Sequence, residues 1–411
     1  MRSSASAETG PVAVPPGLLS LDGPGATDPA VAGAKAASLA RARRMGLPAL
    51  PGLVLPVSAG RAAARAAAGA LAGRGAGAAR PAALRTRLPE HTGSALRTAV
   101  AALGGRVIVR SSSPLEADHR WSGAFSSVGE VGAEDVGTAV RACWASAFAP
   151  DPLDRARACG VAPDELALAV LVQPELTPEA GGVARVEGGT VRVTAVAGHP
   201  GALLSGWSTG ETVVVEKATA AAAGEATAAA VADLAWRAAE LLGHDTVEWA
   251  VEDGTVHLLQ SSRGPAAPAP TGPSATPDGL TVSGTAAVAG DAVGPLRYVR
   301  PHQTVELTEP GILVVDRPVP ALAPLLFGAR GLVSVSGPAQ CHLVEVARAI
   351  GVPVLTGVDV ASVTGPLEQL NAGRRLAAID GTRAVLVVQP GPAAAPTDPA
   401  AAAITATSTL E

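Results

Sequence analysis

Aromatic side chains are scarce in this chain: three Phe, one Tyr and five Trp among 411 residues. A close-packed core must therefore be assembled from Ala, Val and Leu, and hydrophobic residues do reach 48%. Cysteine is scarcer still. Cys143, Cys159 and Cys341 include no pair at metal-ligand spacing, which argues against a disulfide scaffold or a zinc module and suits a reducing cytoplasm. No run of about 18 apolar residues occurs, and no charged-then-apolar leader is present, so neither a membrane span nor export is expected. The net charge is −5, and no basic stripe is interleaved with aromatics. That excludes a general nucleic-acid binder; the arginines from Arg61 to Arg87 read as solvated helix faces.

The length accommodates two or three domains. Residues 1–16 are Ser, Ala, Gly and Pro and are expected to lack fixed structure. Residues 17–263 form the first folded part. Residues 264–279 are a Pro/Ala/Thr linker which, extended as polyproline, advances roughly 45 Å. Residues 280–388 form a second, β-rich unit, and 389–411 a Pro/Ala/Thr tail. Gly73 to Gly77 (GRGAG) has neither a preceding strand nor an acidic residue at the ribose position, so a flexible loop is expected there rather than a dinucleotide turn.

Four stretches have the residue types that phosphate chemistry needs. In the first, a β-rich run from Gly331 to Val335 ends in Gly337-Pro338, and Cys341-His342 opens a helix that stops at Gly351 and Pro353. A histidine at a helix N-terminus lies beside free N–H groups that favour anions, and it could carry a phosphoryl group; a structural histidine in a turn is the alternative. In the second, Lys35 follows Gly33 at the start of a helix, where its ammonium can reach phosphate oxygens or simply face solvent. In the third, the strand Val107-Ile108-Val109 delivers Arg110, followed by Ser111 to Ser113, Glu116 and the loop Trp121 to Val128. The guanidinium suits phosphate, or a surface ion pair. In the fourth, two strands joined by a tight Glu252-Asp253-Gly254 turn place Glu248 and Gln260 on neighbours, an oxygen pair suited to Mg²⁺ or to an outward polar face.

These stretches, in this order, resemble the phosphoenolpyruvate synthase, pyruvate phosphate dikinase and rifampin phosphotransferase family. Gly337, Cys341, His342, Ala347, Arg348, Gly351, Val352 and Pro353 fall into register with its phosphohistidine motif. The resemblance implies an α+β / α/β multidomain chain: a two-lobed ATP-grasp domain joined to a β-rich swivelling phosphohistidine domain. It further implies that ATP gives its β-phosphoryl to His342, releasing AMP and phosphate. Lys35 and Arg110 would hold phosphates, Gln173 to Leu176 would form the adenine hinge, and Glu248 and Gln260 would hold Mg²⁺. Arg263 would be catalytic, although Ser262 occupies the family's arginine position and one step along a strand reverses the face, so either the backbone bulges here or this arginine's role is lost. Ala34, Gly201, Pro338 and Glu345 also depart from the pattern. Glu345, one helical turn from His342, reads as a base or a solvated residue.

About 70 residues follow His342, fewer than the barrel that binds pyruvate would need. The expected acceptor is therefore a small molecule, a natural product or antibiotic among them, or a site on a partner chain; pyruvate is not expected to serve. A reading of another class is a degenerate nucleotide-binding carrier or regulatory protein without turnover of its own.

Overall fold

The computed structural model describes residues 14–217, 226–264, 279–301, 309–372 and 375–389. The expectations for residues 1–13, for the linker 265–278 and for the tail 390–411 lie outside the described residues. Helices and sheets are mixed throughout, in three sheets. The first is antiparallel, in the order Leu19–Ser20, Leu53–Leu55, Ala169–Pro174, Val107–Ser112, Ser127–Val131. The second is also antiparallel, in the order Thr255–Ser262, Thr246–Glu252, Ala180–Glu187, Thr190–Ala197, Glu211–Glu216.

The third sheet has eight strands and belongs to the C-terminal unit. Its centre, Asp291–Tyr298, Ile312–Val315, Gly331–Ser334 and Val354–Thr356, is parallel. Parallel strands are buried on both faces, and Ile312–Val315 and Gly331–Ser334 are buried at every position. The helix His342–Ile350 covers one face with Leu343, Val344, Val346 and Ala347, and Gly351 closes it in the left-handed conformation.

The first two sheets share one apolar core, with Trp121 and Trp249 the bulkiest fully buried side chains. Alanine dominates the helices around it: Val57–Arg74, Ala76–Leu84 and Glu90–Ala102. The loop expected at Gly73 to Gly77 is instead a one-residue break at Gly75 between two helices, because alanine's helix propensity on both sides outweighs the glycines. No helix among the described residues is long and apolar enough to cross a membrane.

Candidate active site

The helix Pro29–Arg44 begins at an Asp28 cap and is interrupted at Gly33, whose φ is 75°. A side chain there would meet the Ser112 carbonyl at 2.1 Å, so the close approach requires glycine. The kink joins the helix start to the end of the Arg110 strand: Ala34 N–H donates to the Ser113 carbonyl (2.9 Å) and Ala36 N–H to Ser112 Oγ (3.1 Å). Since Ala34 contributes its main chain, its departure from the family's glycine leaves this junction intact. Lys35 is thereby placed against Glu116, with which it forms an ion pair. Glu116 is itself fixed by accepting from Ser113 N–H at 2.9 Å, in a capping box.

Arg110 donates to the Leu259 carbonyl (2.8 Å) and to Gln173 Oε1 (3.2 Å). Burial lowers its pKa, and Glu248 and Glu116 oppose that. Glu248 and Gln260 are direct cross-strand partners, with a bulge between Leu258 and Gln260. The residue inside the bulge, Leu259, supplies the carbonyl that Arg110 uses. Burial raises the Glu248 pKa, while Arg110 and Lys35 pull it down.

All six residues expected at ATP (Lys35, Arg110, Gln173, Leu176, Glu248 and Gln260) line one cleft, which encloses about 860 Å³ of open space. Leu50, Ile108 and Phe125 give it an apolar wall near Gln173 and Leu176. The Gln173 side chain is engaged within the protein, donating to the Leu50 carbonyl at 3.2 Å and accepting from Arg110. The loop at His199 and Pro200, where the family's carboxylate is missing, also borders the cleft.

Arg263 lines neither this cleft nor the cavity beside it, where its expected catalytic role would put it. Its Nε donates to the Gly243 carbonyl at 2.9 Å. Strand alternation explains this: Gln260 and Ser262, two apart, line the neighbouring cavity, and the next residue faces the other way.

That second cavity, of about 660 Å³, shares Lys35, Glu248, Gln260 and His342 with the cleft. His342 thus lies where the two meet. Its Nδ1 is 3.0 Å from Ser122 Oγ. Gly123, at φ 66°, passes so close that a side chain there would lie 2.8 Å from the imidazole. Burial, followed by the charges of Lys35 and Arg155, pushes the His342 pKa down to about 3. The ring is neutral near neutral pH. The neighbouring Cys341 thiol is pushed up to about 12 by burial and is no competing nucleophile.

Polar contacts hold the C-terminal unit in this position. Arg155 reaches the Pro320 carbonyl (3.3 Å), Thr194 Oγ1 reaches Gln340 Oε1 (3.2 Å) and Arg317 reaches the Trp207 carbonyl (2.7 Å). Glu345 is neither solvated nor poised as a free base: it pairs with Arg185 at 3.0 Å and lies 3.8 Å from Arg348. Charge reversal at Arg185 would set two carboxylates against each other, with Arg348 at 3.8 Å the cation left beside Glu345. Arg185→Glu is accordingly expected to reduce the docked fraction, measured by distance labels on the two domains. The exchange Arg185→Glu with Glu345→Arg should restore much of it. Equal undocking in the single and double variants would contradict the pairing.

Glu116, Ser122, Gly123 and Arg185 belong to the site although sequence reasoning did not list them among its functional residues. Glu116 left a local signal in the Ser113-to-Glu116 capping-box spacing, and Ser122 and Gly123 lie in the glycine loop Trp121 to Val128, whereas Arg185 left none. Among the described residues no cluster of three or more His, Cys, Asp or Glu side chains could hold a metal alone.

Residues 30–235 match the family described as pyruvate phosphate dikinase, AMP/ATP-binding domain, and residues 307–384 match PEP-utilising enzyme, mobile domain. A probable phosphoenolpyruvate synthase of Methanothermobacter thermautotrophicus is 29% identical over 167 residues, which are 38% of this chain and 23% of that protein. Another from Archaeoglobus fulgidus is 30% identical over 123 residues, 28% of this chain and 16% of that protein. The chain therefore spans less than a quarter of the length of either relative. Among solved structures, D-alanyl-alanine synthetase A from Vibrio cholerae aligns over 59% of this chain and 57% of its own, at 13% identity and a TM-score of 0.32.

Proposed function

The chain belongs to the pyruvate phosphate dikinase and phosphoenolpyruvate synthase family, and from that premise we propose that it moves the β-phosphoryl of ATP onto His342. The observation that carries this reading is the neutral imidazole at the meeting of the two cavities, beside Lys35, Glu248 and Gln260. The first two sheets act as the lobes of an ATP-grasp clamp, with adenine against the apolar wall near Leu176. Lys35 and Arg110 take the phosphates, Lys35 exchanging Glu116 for a phosphate oxygen.

Glu248 and Gln260 offer a carboxylate and an amide oxygen, a hard donor pair that fits Mg²⁺ when substrate phosphates and water complete the shell. Bound there, the ion would neutralise phosphate charge. Ser122 orients the ring: with Nδ1–H donating to its hydroxyl, Nε2 retains the lone pair. Attack of Nε2 on the β-phosphorus breaks its bond to the α-bridging oxygen, and AMP leaves with that oxygen. The bond from the β- to the γ-phosphate is broken by water, whose oxygen ends on the released phosphate. The phosphorylated domain then carries its group to a small molecule or a partner chain.

Phosphoprotein made with β-labelled ATP is expected to be acid-labile and base-stable, as a phosphohistidine is. Label that survives acid would contradict the assignment. The outward placement of Arg263 favours a second reading, nucleotide binding without turnover; it predicts that no labelled protein forms.

A further inference from the structure

A third cavity lies apart from the cleft and the His342 site and encloses about 1320 Å³ of open space. One wall comes from the second sheet and the other from the C-terminal unit, so it exists as a cavity only when the two are docked. Three arginines line it: Arg185 and Arg192 from adjacent strands of one wall, Arg348 from the His342 helix of the other. Glu187 is the acidic residue of its lining and is paired with Arg192 at 3.0 Å. Thr212 and Thr285 add a hydroxyl from each wall.

Two donors at this cavity lack acceptors. Gln340 is 7% exposed and its Oε1 accepts from Thr194, but its Nε2 is buried without a hydrogen-bond partner. Arg348 gives one nitrogen to the Ala287 carbonyl at 2.6 Å, while its Nε is buried and unbonded, 3.8 Å from Glu345. Burial, and then the charge of Arg185, lower the Arg348 pKa, and Glu345, shared between the two guanidinium groups, offsets this only in part. With Glu345 shared between Arg185 and Arg348 and Glu187 paired with Arg192, the three arginines outnumber these two carboxylates, and an oxyanion would complete the pairing.

We propose that this cavity binds a small molecule bearing a phosphate or carboxylate group, held by Arg192 and Arg348 beside the buried Gln340 amide. Since both walls contribute, the ligand binds the docked arrangement and raises its population by linkage. The site is independent of whether the chain turns ATP over.

Calorimetric titration of the full chain tests it, with the ATP cleft filled by Mg²⁺ and a non-hydrolysable ATP analogue. Inorganic phosphate and acetate, each at constant ionic strength against chloride, distinguish the two anion classes. Saturable binding of at least one is expected, about tenfold or more weaker in Arg192→Ala, a partly exposed residue outside the nucleotide site. Interdomain distance labels should report a larger docked fraction with the bound anion. Equal affinity in wild type and Arg192→Ala, or no binding of either anion, overturns the proposal. Phosphate binding of the expected kind in a chain that forms no AMP would sink the phosphotransfer reading alone.

Discussion

His342→Ala is expected to abolish transfer of β-label from ATP to the protein while nucleotide affinity stays within about twofold. The whole nucleophile is lost, yet the six cleft residues that would hold ATP come from elements other than the His342 helix. The same variant separates chemistry from docking through pH. An exposed histidine titrates near about 6.5, whereas burial holds the docked His342 at about 3. The undocked ring therefore binds a proton that the docked ring excludes. The histidine's contribution to docking is fully present above the undocked pKa and is lost progressively as pH falls below it. Docking should weaken by about twenty-five-fold between about pH 7 and about pH 5, and the effect should vanish in His342→Ala. Interdomain distance labels measure it; a pH response that persists unchanged in the variant would show that another group is responsible.

Glu248→Gln and Gln260→Ala are each expected to slow AMP formation about a hundred- to a thousandfold, the scale of losing one preorganised electrostatic contact. Both should shift the Mg²⁺ dependence of the residual activity. Thermal stability should change little, because burial already opposes ionisation of Glu248 and the glutamine conserves its volume. Arg263→Ala is the control: with its guanidinium on the Gly243 carbonyl, AMP formation should stay within about twofold of wild type. Early melting of the Glu248 and Gln260 variants, with wild-type Mg²⁺ dependence in what remains folded, would assign these residues to packing instead.

The parts of the site legible in sequence are those encoded by short-range geometry. Gly33 before Lys35, the strand delivering Arg110, the Gly254 hairpin that opposes Glu248 to Gln260, and the helix from His342 to Gly351 each follow from a turn residue and a local period. Contacts across the domain boundary have no such code. Ser122 and His342 are 220 positions apart, and Arg185 and Glu345 are 160 apart. Nothing near Glu345 announces that a guanidinium on another sheet will meet it. The displacement of Arg263 by one residue allowed for a bulge in this strand, but its place at Leu259 was silent, since the apolar pair Leu258-Leu259 reads the same on a regular strand. The interdomain cavity was illegible for the same reason: Arg348 joins the cross-strand pair Arg185 and Arg192 only through docking.

The claim that the docked His342 attacks the β-phosphate is tested most directly by the nucleotide that leaves. The full chain, given Mg²⁺ and ATP labelled in the adenine ring, should convert it to AMP in a single turnover without any acceptor, and His342→Ala should leave the ATP intact. ADP as the labelled product would mean attack at the γ-phosphate, and would contradict the account.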